Sequence, residues 1–277
     1  MNIKISMEST CDLTQELINK NGFSVIPYSI ILGENAIEDN EQAQSKIFEY
    51  VKESKTLPKT SAINVTQYEN YFEKLSKENN AVIHITLSGE LTSSVANAIK
   101  ASEKFNNVYV IDSKSLSTGI SLLALYANKL ADEGLTVEEI VKKVKSKVSK
   151  VQASFVVERL DYLYKGGRCN AISLLGANLL KIRPQIVMQD GKMKPAKKYR
   201  GKMDKVISDY CQDVLSENNA DKSVAFVTYT TATKEMINNA VTALKKAGFK
   251  QIFETRAGGT ITSHCGENVL GILFLKK

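Results

Sequence analysis

Residues 83–98 read IHITLSGELTSSVANA. An apolar run from Ala81 to Ile85 stops abruptly, and hydroxyls follow at Thr86, Ser88, Thr92, Ser93 and Ser94. Three kinds of chemistry use hydroxyls at such a turn. A single Ser or Thr caps the next helix, worth about 1 kcal/mol. A serine beside a general base acts as a nucleophile. Several hydroxyls at a helix N-terminus hold an anion, because free backbone N–H groups and the helix dipole already favour negative charge there. One helix needs one cap side chain, so Thr92, Ser93 and Ser94 in succession point to an anion cradle. Capping accounts for Asp12, Ser115 and Ser61.

A nucleophile would need a base, and the chain has two histidines, His84 and His264. There is no GxSxG elbow. His84 lies inside an apolar strand and reads as a core residue. His264 lies in GGTITSHCGENVLGI, read as a glycine-flanked turn before a strand, which makes it the better functional candidate. A hydrolase or transferase pairing Ser93 with His264 is therefore the alternative reading, with no evident acid partner to complete a triad. GxGxxG and GxxxxGKS/T are both absent, so no nucleotide motif is found. The glycines of KGGRCN fit a helix C-terminus, with Arg168 beside them as a rim charge or a ligand contact. Cys11, Cys169, Cys211 and Cys265 are far apart and show no metal spacing, so neither a metal nor a cofactor is expected. They fit a reduced, cytoplasmic chain.

The net charge of +7 would suit an acidic partner, but lysine-rich solvated helix faces account for most of it. In KKVKSKVSKV the valines keep helical spacing and the lysines fill the other face. The densest basic stretch, residues 181–205, has no helix-turn-helix, RRM or zinc-finger pattern, and nucleic acid is not expected as a partner. No uninterrupted apolar run of about 18 residues predicts a membrane span.

The elements that must carry these residues alternate. Strands are predicted at 3–7, 23–32, 81–87 and 107–113, and helices at 38–54, 64–79, 91–105 and 116–133. Buried strands separated by helices predict a parallel sheet covered on both faces. A connecting helix from Val137 to Val151 follows, and then the pattern changes. A strand, a short helix, an apolar helix at 172–180, a hairpin about Asp190-Gly191 and further strands at 223–229, 250–257 and 269–275 predict a mixed sheet. The expected architecture is a two-domain α/β fold. A parallel three-layer α/β/α domain spans 1–151 and a mixed-sheet α/β domain spans 152–277. Open α/β sheets bind ligands beyond the carboxyl ends of their strands. The hydroxyls after the first and central strands and Thr60-Ser61 all fall at polar turns of that kind.

In order along the chain, ESTCDL, Thr60-Ser61, SGELTSS, VIDSKSLSTG, LDYLYKGGR, ISLLGANLLKIRP and GGTITSHCG resemble the motifs of the DegV family. That family includes the fatty-acid-binding subunits of bacterial fatty acid kinase. The resemblance implies a long-chain fatty acid held between two α/β domains, with its tail running into the second. It implies no turnover by the chain itself. A separate kinase subunit phosphorylates the presented carboxyl group from ATP, and the acyl phosphate feeds phospholipid synthesis. By resemblance, Thr60, Thr92 and His264 match the family's carboxylate site. Ser93 stands where glycine is usual and is counted with it. Arg168 and Arg200 match the arginines associated with kinase engagement. Glu8 replaces a commoner Asp, and SAIN follows the usual threonine in place of S-Q-P.

Overall fold

The computed structural model describes residues 2–169 and 182–277. In chain order the elements of the first half are β1 (Ile3–Glu8), α1 (Gln15–Lys20), β2 (Ser24–Ile26), β3 (Ser29–Leu32), β4 (Asn35–Glu38), α2 (Ala43–Ser54), β5 (Lys59–Ser61), α3 (Val65–Glu78), β6 (Ala81–Thr86), α4 (Ser94–Ser102), β7 (Val108–Asp112), α5 (Thr118–Asp132) and α6 (Val137–Lys147). Then follow β8 (Val151–Val157), α7 (Asp161–Lys165), β9 (Ile182–Gln189), β10 (Lys192–Arg200), α8 (Met203–Glu217), β11 (Ala220–Tyr229), α9 (Lys234–Ala247), β12 (Gln251–Arg256), α10 (Gly259–Cys265) and β13 (Val269–Lys276). The apolar helix predicted at 172–180 lies outside the described residues.

The parallel sheet runs β2-β1-β6-β7. Its central strand β6 is buried at all six positions, as a strand covered on both faces should be. Local chemistry starts the helices cleanly. Asn64 with Gln67 closes a capping box on α3, which turns Tyr68, Phe72 and Leu75 inward. Thr136 with Glu139 does the same for α6.

The mixed sheet runs β10-β9-β8-β13-β11-β12. Its strands alternate strictly between two cores. Val156, Val227, Leu270 and Ile272 face α8 and α9. Phe155, Phe226 and Leu273 join the larger core, which also contains the parallel sheet. Between the two sheets lies α5, buried along Thr118–Ala124 and again at Ala127 and Leu130, and packed against strands of both. One apolar core therefore extends from the parallel sheet through α5 to one face of the mixed sheet.

Several expectations need correction. The stretch 23–32 is two strands in different sheets. Pro27 has no N–H to give a ladder and separates β2 from β3. The latter joins β4 and β5 in a small antiparallel sheet that periodicity did not reveal. Helix α2 starts at Ala43, after β4, and α4 at Ser94. The connector α6 ends at Lys147, and a 3-10 turn leads to β8. Asp12, Ser115 and Ser61 do not cap helix N-termini, and Asp12 instead closes a 3-10 turn at its C-terminus. Thr14 caps α1, Asn64 caps α3, and Ser117 holds the N-cap position of α5. His264 is on a short helix, α10, rather than in a turn.

Candidate functional site

The turn after β6 leads into α4 through Thr92 and Ser93. Ser93 is the N-cap residue of α4, but its side chain makes no capping bond. The Thr92 hydroxyl takes that duty and accepts the Ser94 amide at 3.2 Å. Ser94 itself is buried and structural: its Oγ accepts the Ile63 amide at 3.1 Å and the Tyr28 hydroxyl at 2.7 Å. The Tyr28 hydroxyl also lies 3.2 Å from Thr92 Oγ1. The three successive hydroxyls thus divide their work, and Ser93 is left exposed at the rim.

Thr60, on the edge strand β5, brings a further hydroxyl to the same place. Its Oγ1 lies 2.8 Å from His264 Nε2 on α10. Thr60, Thr92, Ser93, His264 and Arg168 line one cavity of about 100 Å³, with Tyr28 at its wall. Leu87, Leu91, Leu116, Met193, Ile261 and Cys265 supply its apolar side. Leu116, Ile261 and Cys265 also line a second, almost wholly apolar cavity of about 30 Å³ against Phe155 and Leu273 of the mixed sheet. The two cavities share these three residues, so apolar lining adjoins the hydroxyls.

Burial, then the nearby Arg168 charge, pulls the His264 imidazole down to about 4, so it is neutral near pH 7. Its Nδ1 is buried without a hydrogen-bond partner. Gly166 faces it so closely that a Cβ there would come 2.7 Å from Nδ1. A bare ring nitrogen in that position costs less than a stranded N–H. The favoured tautomer carries its proton on Nε2 and donates to Thr60 Oγ1. The Thr60 proton is then free to point into the cavity.

Two carboxylates from the first half hold the start of α10. Asp12 accepts the Gly258 amide at 2.7 Å. Asp39 accepts the Gly259 amide at 2.6 Å and the Thr260 amide at 3.1 Å. Ser117 donates to Asp12 at 2.5 Å, and Ser9 donates to Asp39 at 2.9 Å. Gln44 of α2 adds bonds to Thr230 O, Ala257 O and Thr262 Oγ1 at 3.0–3.1 Å. The position of His264 is therefore set largely by residues 9–44. Burial pushes the Asp12 carboxyl up to about 8. It pushes Glu8, which accepts the Leu87 amide at 2.7 Å, up to about 7.

Comparison with known proteins agrees with this architecture. The DegV family model, described as an uncharacterised protein family, matches residues 2–277. The chain belongs to the DegV family. It is 29% identical over 281 residues to the fatty acid-binding protein of Thermotoga maritima, covering 98% of this chain and 96% of that one. It is 27% identical to a DegV domain-containing protein of Caldanaerobacter subterraneus, covering 99% of both. Its structure matches a DegV lipid binding protein from Thermotoga maritima with TM-score 0.88, 26% identity and full coverage of both chains. It also matches DegV, a fatty acid binding protein from Bacillus subtilis, with TM-score 0.86, 25% identity and full coverage of both.

The fold of this family thus brings Thr60, Thr92, Ser93, His264 and Arg168 together. Arg200 is elsewhere, at the end of β10, where it lines a groove of about 860 Å³ with Arg183, Lys202 and Met203. The proposed Ser93–His264 couple is not formed. His264 Nε2 is taken by Thr60, and no carboxylate orients Nδ1. His84 is fully buried, as expected, with Nδ1 2.8 Å from Ser6 Oγ. The hairpin β9–β10 does more than carry solvated lysines. Its turn docks on the first half, where Ser88 donates to Gly191 O at 2.7 Å, and Met193 enters the cavity. Among the described residues, no helix is long and apolar enough to cross a membrane.

Sequence reading missed Tyr28, Met193, Thr260 and Asp39. Thr260 was within reach, since it precedes His264 by four residues and shares its face once the segment is read as helix. Tyr28 and Asp39 carry no local signal, because their partners Thr92 and Gly259 lie 64 and 220 residues away, and Met193 reaches the cavity through the hairpin whose turn docks on Ser88.

Proposed function

We propose that this chain binds the carboxylate of a long-chain fatty acid at the Thr60–Thr92–Ser93–His264 end of the cavity. It then presents that group to a separate ATP-dependent kinase subunit. The observation that carries this reading is the convergence of hydroxyl-bearing residues on a cavity whose remaining lining is mostly apolar. A carboxylate only accepts hydrogen bonds. Thr60, polarised by His264, donates from one side; Thr92, Ser93 and the first-turn amides of α4 donate from the other. Neutral His264 adds no charge, so Arg168 at the rim is the nearest cation that lines the site. An acyl tail gains about 0.8 kcal/mol per buried CH₂, which favours the apolar continuation. The names of the Thermotoga and Bacillus relatives, which bind fatty acids, support the same ligand class.

In this reading the chain divides into a carboxylate-binding domain, residues 1–151, and a tail-covering domain, residues 152–277. It works in the cytoplasm and performs no chemistry itself. The hydroxyls hold the carboxylate at the mouth, Arg168 and Arg200 engage the kinase subunit, and the acyl phosphate formed passes to phospholipid synthesis. Lipid extraction and native mass spectrometry of the purified protein test it. One fatty acid per chain is expected. A protein that carries no lipid and takes up none when palmitate or oleate is added overturns the proposal.

A further inference from the structure

We infer that Thr260 is a further headgroup-binding residue of this cavity, donating its hydroxyl to the ligand from the α10 side, opposite the hydroxyls of β5 and α4. The inference rests on the fatty-acid reading above and extends its donor set. Thr260 lines the cavity and is 3% exposed, yet its Oγ1 has no hydrogen-bond partner. Burying a hydroxyl without a partner is unfavourable, and in native proteins such a group calls for an explanation.

Its neighbours on α10 show that the lack of a partner is local. Ser263 Oγ donates to Gly259 O at 2.7 Å, four residues back. Thr262 Oγ1 is bonded to Gln44 at 3.1 Å and lies 3.4 Å from Ala257 O. Thr260 has no such route, because α10 begins at Gly259 and offers no helical carbonyl four residues before it. Its backbone is held as well, since the Thr260 amide donates to Asp39 at 3.1 Å. A β-branched side chain on a fixed backbone has few rotamers, so the hydroxyl is pre-set before any ligand arrives. Spaced four residues from His264, it addresses the same cavity from the same helix face.

The ligand group that fits is acceptor-only and anionic. Four hydroxyls, from Thr60, Thr92, Ser93 and Thr260, then surround one carboxylate. A methyl ester lacks the charge and fills one oxygen's place with a methyl group, so the site selects free acid.

Thr260→Val removes the hydroxyl and keeps the shape. Two readouts are measured, palmitate affinity by titration calorimetry and thermal unfolding of the delipidated protein. The expected pair has opposite signs. The melting temperature holds or rises, because an unpaired buried hydroxyl is gone, while palmitate Kd rises about tenfold or more, as for a lost hydrogen bond to a charged group. Thr260→Ser restores the affinity, and methyl palmitate does not distinguish Thr260→Val from wild type. Wild-type palmitate affinity in Thr260→Val overturns the inference, as does a lowered melting temperature with unchanged affinity, which marks a purely structural hydroxyl. If Thr60→Val loses palmitate and Thr260→Val does not, the fatty-acid reading stands and Thr260 leaves the donor set. If wild type binds no palmitate, both fall.

Discussion

Two hollows among the described residues differ in character. The larger, about 860 Å³, opens where α8 and α9 begin and is ringed by Arg183, Arg200, Lys202, Glu158 and Asp204. The smaller, about 100 Å³, lies between the first half of the chain and α10. Size favours the first as a binding site. Hydrogen bonding favours the second. In the large groove several polar groups are already served: Arg183 pairs with Glu158 at 3.3 Å, Asn268 donates to Glu158 at 2.6 Å, and Thr233 donates to Asp204 at 2.6 Å, while Arg200, Lys202 and Arg183 Nε are not paired among the described residues. In the small cavity the Thr260 hydroxyl is a buried donor without a partner, and Thr60, bonded to His264 Nε2, can turn its own proton inward. A folded chain tolerates such groups where a ligand completes them. Buried donors beside apolar lining, rather than volume, therefore set the small cavity apart.

The comparison breaks most sharply if the support of α10 is removed. Asp39→Ala strands the Gly259 and Thr260 amides and the Ser9 hydroxyl, all of which now donate to that carboxylate. The expected loss is about 3–4 kcal/mol of stability, from several buried donors left unserved at once. In a thermal scan this is a drop of about 10 °C. Palmitate binding falls with it, since His264 loses its fixed place. Unchanged melting would show that α10 stands without the first half.

Next in size is Thr92→Val, which keeps the shape of the side chain and deletes both a donor to the ligand and the acceptor of the Ser94 amide. Palmitate binding is expected to weaken by about 1–3 kcal/mol, the range for a charged acceptor left short of a hydrogen bond. Equal affinity in the variant, measured by calorimetry, moves the carboxylate away from the α4 N-terminus. It would leave Thr60 and α10 as the only donors of the small cavity.

The third effect is one of pH. Asp12 is pushed up to about 8 by burial, against an ordinary value of 3.8. Between those values the folded chain binds more protons than the unfolded one, so this carboxyl contributes stability at low pH that is lost as pH rises toward 8. Buried His84 and His264 act in the other sense. Their ring pKa values lie at about 3 and about 4 against 6.5, so their contribution is lost as pH falls below 6.5. Asp12→Asn isolates the first term, because its amide can accept the Gly258 amide and donate to Ser117. Wild-type stability relative to this variant should fall by about 1.4 kcal/mol per pH unit between pH 5 and 7.5, measured by urea unfolding. A flat difference would mean that Asp12 is ionised in the folded chain.

Much of this was legible in the sequence, and the misses share a cause. The parallel and mixed sheets follow from uninterrupted or alternating apolar strands, and the hairpin from Asp190-Gly191, whose residues both take positive φ. The surplus of hydroxyls at Thr92–Ser94 drew attention to this turn, although Thr92 accepts the Ser94 amide and Ser94 holds Ile63 and Tyr28. What remained hidden depends on contacts distant in sequence. A short, mostly exposed strand such as β4 has little apolar alternation to detect. Asp39 shows its purpose only when β4 is brought beside α10. The segment around His264 has three glycines and read as a turn, but Asp39 and Asp12 supply the N-terminal bonds that a seven-residue helix cannot provide for itself.

The smallest effect expected is at the large groove, and it tests the comparison from the other side. Arg200 lines that groove, on the far end of β10 from the Asp190-Gly191 turn, and shares no cavity lining with Thr60 or His264. Arg200→Ala should therefore leave palmitate Kd within about twofold, a change below the 1.4 kcal/mol that a tenfold shift represents. If Arg200 serves the kinase subunit, phosphorylation of the presented acid slows in the same variant while lipid content stays at one per chain. Loss of palmitate binding would join the large groove to the lipid path, and the sharp division between the two hollows would no longer hold.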